Sequence, residues 1–84
     1  MPYTVIIKKT AQKELDSIPK KLQLRIRGAI DLLAANPFPP NSKKLIDREG
    51  YRIRTSDYRI LYNVNDNDLM VLIVKIGHRR DIYR

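Results

Sequence analysis

The chain has 84 residues, 17 of them Lys or Arg and nine Asp or Glu, so a single domain spanning 1–84 with a formal charge of +8 is expected. No cysteine and only one histidine are present, which excludes disulfide frameworks, thiolate nucleophiles, cysteine-based zinc sites and multi-histidine metal centres. Apolar residues make up 43 %, enough for a small core, and the excess of positive charge points to a polyanion: RNA, DNA, the ribosome, an anionic membrane surface or an acidic protein.

Met1-Pro2-Tyr3-Thr4 does not begin a basic segment followed by a long apolar one. The longest apolar run, Leu69 to Val74, is far too short to cross a bilayer. A cytoplasmic protein without a membrane partner is expected.

Tyr3 to Lys8 is rich in β-formers and reads as a first strand. Thr10 can then cap a helix with apolar positions Ala11, Leu15 and Ile18. Pro19 interrupts that spacing and suits the first turn of a second helix, in which Leu22, Ile26, Ala29, Ile30 and Leu33 line one face. Lys20, Lys21, Arg25 and Arg27 lie mostly off that stripe, on a solvated face or an rRNA contact. Asn36-Pro37 ends the helix. Pro37 to Lys44 holds three of the five prolines and reads as a linker-like loop.

From Tyr51 the period becomes two. Tyr51 to Thr55 and Tyr58 to Val64 read as strands around a Ser56-Asp57 turn, and Asn65 to Asp68 is a second turn. Leu69 to Ile76 is apolar on both faces apart from Lys75, as in a central strand. The order is strand, two-helix hairpin, then an antiparallel three-stranded meander, a small α+β domain.

Two-residue loops at Ser56-Asp57 and Asp66-Asn67 would set Arg54 opposite Arg59, Arg52 opposite Leu61 and Arg59 opposite Val74, all on one face. Tyr51, Ile53, Tyr58, Ile60, Tyr62, Val64, Leu69, Val71 and Ile73 would take the other face, beneath the helices. Like charges placed across strands are unfavourable, and a local rule broken in this way marks a functional site. Alternating arginines on an exposed strand also protect an edge from aggregation, an adequate account of Arg52 alone. Seven of the nine arginines lie from Arg48 onward, with Lys75 the only lysine there. That bias favours the planar guanidinium fork, which fits phosphate oxygens.

Gly50 to Tyr62 (Gly-Tyr-Arg-Ile-Arg-Thr-Ser-Asp-Tyr-Arg-Ile-Leu-Tyr) and Ile76 to Tyr83 (Ile-Gly-His-Arg-Arg-Asp-Ile-Tyr) resemble the pattern of the RelE/ParE toxin superfamily, and the order of elements extends the likeness to nearly the whole chain. The resemblance implies a RelE-like toxin of a type II toxin–antitoxin system: a ribosome-dependent endoribonuclease that cuts mRNA in the A site by 2′-hydroxyl attack and stops translation. It implies catalytic roles for Arg59, Arg79 and Tyr83, and contacts to RNA phosphate from Arg52, Arg54, His78 and Arg80. Tyr83 would be the base, aided by nearby cations, with His78 the alternative acid or base. Arg59 would hold the scissile phosphate and Arg79 would stabilise the transition state. The implied partners are a cognate inhibitory antitoxin with a wrapping segment, mRNA and the ribosome with its rRNA; no cofactor or metal is implied. Two departures stand out: Arg fills positions 52 and 54 where some relatives carry Lys, and the stretch from Gly77 to Tyr83 is short. The alternatives are a ParE-like poison of DNA gyrase and a non-catalytic nucleic-acid-binding module.

Overall fold

The apolar stripes of two helices meet one face of a sheet in the computed structural model, which describes residues 2–78. The elements are β1 (Thr4–Ile7), α1 (Lys9–Asp16), α2 (Lys20–Ala35), β2 (Lys43–Lys44), β3 (Tyr51–Thr55), β4 (Tyr58–Asn65) and β5 (Met70–His78). The strands lie in the order β1-β5-β4-β3-β2, with β1 parallel to β5 and every other pairing antiparallel. The expected helix hairpin and meander are therefore present, inside a sheet of five strands. The proline-rich segment read as a loop supplies its edge: Lys43 and Lys44 pair with Arg52 and Tyr51.

The core lies between helices and sheet. Ala11 and Leu15 from α1, Ile18 from the connection, and Ile26, Ile30 and Leu33 from α2 pack on Ile53, Ile60, Tyr62, Val71, Ile73 and Ile76. Leu22 and Ala29 pack at its margin, so the expected stripe of α2 is the one that is buried.

The entry to α1 differs from expectation. The helix begins at Lys9, with Lys8 at the N-cap and no side-chain cap. The Lys8 N–H still donates to Ile73 O (3.0 Å) and its carbonyl already accepts from Gln12 (2.9 Å), so the chain passes directly from sheet to helix and Thr10 lies inside the first turn. Pro19 likewise sits at the N-cap of α2, one residue before the helix. The Gln23 amide donates back to Asp16 O (3.2 Å) and Ile18 O (2.8 Å), meeting carbonyls left open where α1 ends.

The first hairpin has the expected loop, with Thr55 opposite Tyr58 and Ser56 at φ 55°. The second does not. Asn65 pairs with Met70 across a four-residue turn, held by Asp68 N–H on Asn65 Oδ1 and Asn65 Nδ2 on Asp68 Oδ2, both 3.0 Å. Leu69, expected on the core face, occupies this turn at φ 52°. Lengthening the loop by two residues preserves the strand faces, because side chains alternate with period two.

A bulge then changes them. Tyr62 pairs with Ile73 but Leu61 pairs with Lys75, leaving Val74 as the extra residue of β5. Without it Lys75 and Gly77 would follow Ile73 on the helix side. With it Ile76 turns into the core and Arg59 stands opposite Gly77, correcting the expected pairing with Val74. The Ile76 N–H, beyond the end of β1, donates to Glu14 Oε1 of α1 (3.2 Å).

Candidate nucleic-acid interface

Arg52 and Arg54 of β3 and Arg59 of β4 share the face that the helices leave open. Arg54 and Arg59 are direct cross-strand partners, and Arg52 is opposite Leu61. Arg52 and Arg59 are half-buried, whereas Arg54 is exposed toward the hairpin end.

Beside them the chain builds a wall. After β2 it makes a loop whose ends are joined by Leu45 N–H on Gly50 O (2.9 Å). Gly50 is buried with φ 115°. A Cβ there would lie 2.5 Å from Asn63 Oδ1 and 2.8 Å from Tyr62 O, so only glycine lets the loop settle against β4. Between wall and sheet lies a groove of about 470 Å³. Among the described residues its charged lining consists of Lys43, Lys44, Arg48, Arg52 and Arg59, with Asp47 the one carboxylate.

Among the described residues, Lys43, Lys44, Arg48 and Arg52 have no ion-pair partner. Lys43, Lys44 and Arg48 are exposed and Arg52 is half-buried, so like charges gather around one concavity, and arginine forks bind phosphate oxygens in pairs. The groove is thus chemically matched to a phosphodiester backbone.

The proline-rich segment is anchored by aromatic packing. Phe38 meets Tyr51 edge-on (centroids 5.1 Å) and Tyr51 stacks on Tyr62 (6.0 Å). The buried Tyr62 hydroxyl donates to Pro37 O (2.7 Å). Burial pushes the Tyr62 phenol above its ordinary value, and a hydrogen bond with Ser42 acts in the opposite direction. Tyr62 is therefore a core residue that places the wall of the groove. Tyr3 is raised as well, first by its hydrogen bond to Asp66 (2.6 Å).

Of the site residues expected from sequence, Arg52 and Arg59 line one groove, and Arg54 adjoins it. His78 falls elsewhere: it pairs with Tyr58, its ring packs edge-on against that tyrosine (5.6 Å), and the bulge gives it the helix-side parity. Arg79, Arg80 and Tyr83 lie outside the described residues. Sequence reasoning missed Lys43, Lys44 and Arg48. Their one local signal is that Gly50 closes the segment immediately before a strand, as a close backbone approach requires. No helix among the described residues is long and apolar enough to cross a membrane.

Comparison with known proteins matches residues 5–83 to the family of the ParE toxin of type II toxin–antitoxin systems. The chain is 33 % identical over 86 residues to toxin RelG of Mycobacterium tuberculosis, covering 100 % of this chain and 99 % of that one. It is 32 % identical over 85 residues to toxin RelE of the same organism, covering 99 % and 88 %. Among solved structures, the archaeal RelE–RelB complex from Pyrococcus horikoshii contains a chain 34 % identical at a TM-score of 0.85, with 96 % of this chain and 99 % of that chain covered.

Proposed function

The chain belongs to the RelE/ParE superfamily of type II toxin–antitoxin toxins, and from that premise we propose that it is a ribosome-dependent endoribonuclease that cuts mRNA in the A site. The observation that carries this reading is the groove on the open face, where Arg52 and Arg59 meet Lys43, Lys44 and Arg48.

The reaction is transesterification at phosphorus. The ribose 2′-oxygen attacks the adjacent phosphate, the bond from phosphorus to the 5′-oxygen breaks, and the products are a 2′,3′-cyclic phosphate and a 5′-hydroxyl. One group must take the 2′-hydroxyl proton, another must return a proton to the leaving oxygen, and cations must hold the charge of the phosphorane. Arg59 holds the scissile phosphate. Arg52 and Arg54, with the lysines of the wall, position the backbone. Tyr83 acts as base and Arg79 stabilises the transition state electrostatically, since a guanidinium is a poor acid. Arg80 adds a phosphate contact. His78, directed to the other side of the sheet with Tyr58, is the weaker candidate for the base. The ribosome supplies the in-line alignment of mRNA that a small groove cannot enforce alone.

A cognate antitoxin is the inhibitory partner. An acidic, partly disordered segment that wraps the open face would neutralise the groove and exclude RNA.

The test is cleavage of an mRNA under translation by wild type, Arg59→Ala and Tyr83→Phe, with the ends mapped. Wild type yields new mRNA ends, and Arg59→Ala reduces them by on the order of 10²–10³-fold. No new ends from the wild type, with gyrase-linked DNA breaks in their place, would transfer the chain to the ParE-like activity. Salt-sensitive nucleic-acid binding without toxicity would make it a binding module.

A further inference from the structure

The pairing of β1 with β5 stops at Ile7 and Ile73, closed by Lys8 N–H on Ile73 O. β5 runs on to His78. From Val74 onward, among the described residues, it has a strand neighbour on the β4 side alone. The bulge falls at this point, and a bulge leaves one residue unpaired and disrupts the ladder around it.

On the open edge a side chain of α1 takes the place of a strand: Glu14 Oε1 accepts the Ile76 N–H at 3.2 Å. Successive N–H groups along a strand point to opposite sides. With the Ile76 N–H turned outward to Glu14, the Gly77 N–H is turned inward to Arg59, its partner in β4. Without the bulge the pairing would slip by one residue, and Ile76 would stand opposite Arg59. Its N–H would then face β4 and leave Glu14 nothing to accept. The Glu14 bond is therefore made in the bulged register and lost in the slipped one.

Register matters at Arg59. The bulged register places a glycine, with no side chain, opposite Arg59 on the open face. The slipped register would place isoleucine there and turn Lys75 toward the core. Burial of Ile76, 1 % exposed, favours the bulged register as well, and Glu14 adds a polar contact that a slip would break. A carboxylate bonds a backbone N–H more strongly than a neutral acceptor does. The charge of this half-buried carboxylate does not stand alone, because Lys8, Lys13, Lys75 and Arg48 line the same compartment.

We propose that Glu14 is a positioning residue for the phosphate site: it holds β5 in the bulged register and so keeps Gly77, and not Ile76, beside Arg59. It acts through the strand and not on the substrate. Its consequence for cleavage rests on the ribonuclease reading; its consequence for phosphate binding does not, and the test has one arm for each.

In the first arm, ¹⁵N-labelled wild type, Glu14→Gln and Glu14→Leu are compared. Amide exchange is followed at Ile76, and the Arg59 Nε–H signal is titrated with inorganic phosphate. Glu14→Leu exchanges Ile76 roughly tenfold faster and needs roughly tenfold more phosphate, as loss of an acceptor to a buried donor implies. Glu14→Gln keeps an acceptor and stays within about twofold of wild type on both readouts. A wild-type phosphate response in Glu14→Leu overturns the proposal. So does a loss in Glu14→Gln as large as in Glu14→Leu, which would make the charge of Glu14 the active feature and not its grip on Ile76. Should Glu14→Leu fail to fold, Gly77→Ala decides: a methyl group opposite Arg59 weakens the phosphate response while Ile76 exchange stays as in wild type, and an unchanged response overturns the proposal. In the second arm, cuts in a translated mRNA are counted. Glu14→Leu lowers them roughly tenfold and Glu14→Gln restores them. Full cutting by Glu14→Leu overturns the role in cleavage. No cutting by wild type removes the ribonuclease reading and leaves the phosphate arm to decide on Glu14.

Discussion

The two faces of the β3–β5 sheet are made by alternate residues of the same strands, and they satisfy those residues by opposite means. On the helix side Ile53, Ile60, Tyr62, Val71, Ile73 and Ile76 are closed over by α1 and α2. On the other side Arg52, Arg54 and Arg59 are left with lysines and a loop. One face is closed over within the chain, while the other concentrates cations. Core and cationic side chains thus occupy neighbouring positions, with a change of one residue separating the two.

Ile60 and Arg59 are adjacent in sequence and divide that assignment most sharply. Ile60→Ala removes a side chain of zero exposure and is expected to destabilise the fold by about 2–5 kcal/mol, measured by urea or thermal unfolding. Arg59 is half-buried on the open face, so Arg59→Ala is expected to cost about 1 kcal/mol, well short of Ile60→Ala, while removing the cleavage described above. If Arg59→Ala unfolds the chain as readily as Ile60→Ala does, the two faces are not separate in role.

Tyr62 links the faces. Its ring lies in the core, and its hydroxyl bonds the segment that leads to the groove wall. Tyr62→Phe leaves the Pro37 carbonyl without its donor and is expected to cost about 1–3 kcal/mol at neutral pH. The pH dependence carries a sign. Because burial raises the folded-state value of this phenol, its contribution is fully present below the unfolded tyrosine value near ~10 and is lost as pH rises through the folded value. The stability gap between wild type and Tyr62→Phe should therefore narrow above about pH 10, as seen in urea midpoints at neutral and alkaline pH. Tyr3, raised through Asp66, stays constant in both proteins and cancels. A gap that widens on the alkaline side would contradict the burial of the phenol.

How far these features were legible in the chain depends on how local their causes are. The alternation through Tyr51–Val64 and the helical spacing of Leu22, Ile26, Ala29, Ile30 and Leu33 record burial directly, so both the core and the Arg54–Arg59 pairing followed from them. The bulge did not. Val74, Lys75 and Ile76 permit either parity, and the choice depends on Ile76 reaching the core and on Glu14, 62 residues away, accepting its N–H. That one choice moved Gly77 opposite Arg59 and His78 to the face of Tyr58. The groove wall was equally hidden, because Lys43 and Lys44 become a strand only through pairing with β3. The resemblance pointed to the arginines of the sheet but gave no hint of Arg48, whose placement depends on how the loop closes at Gly50.

The smallest expected effect tests the contrast between the faces most directly. Arg54 and Arg59 stand opposite each other with like charge, an arrangement expected to destabilise a sheet by about 0.2–1 kcal/mol. Arg54→Thr keeps a β-forming residue at an exposed position. It is expected to raise stability by that amount at low salt, with the gain fading as added salt screens the pair. The same substitution should weaken RNA binding and reduce the dependence of binding on salt by about one phosphate contact. A face shaped for its own stability would lose nothing in binding when the repulsion is removed. A face shaped for phosphate must become more stable and bind less well through the same change.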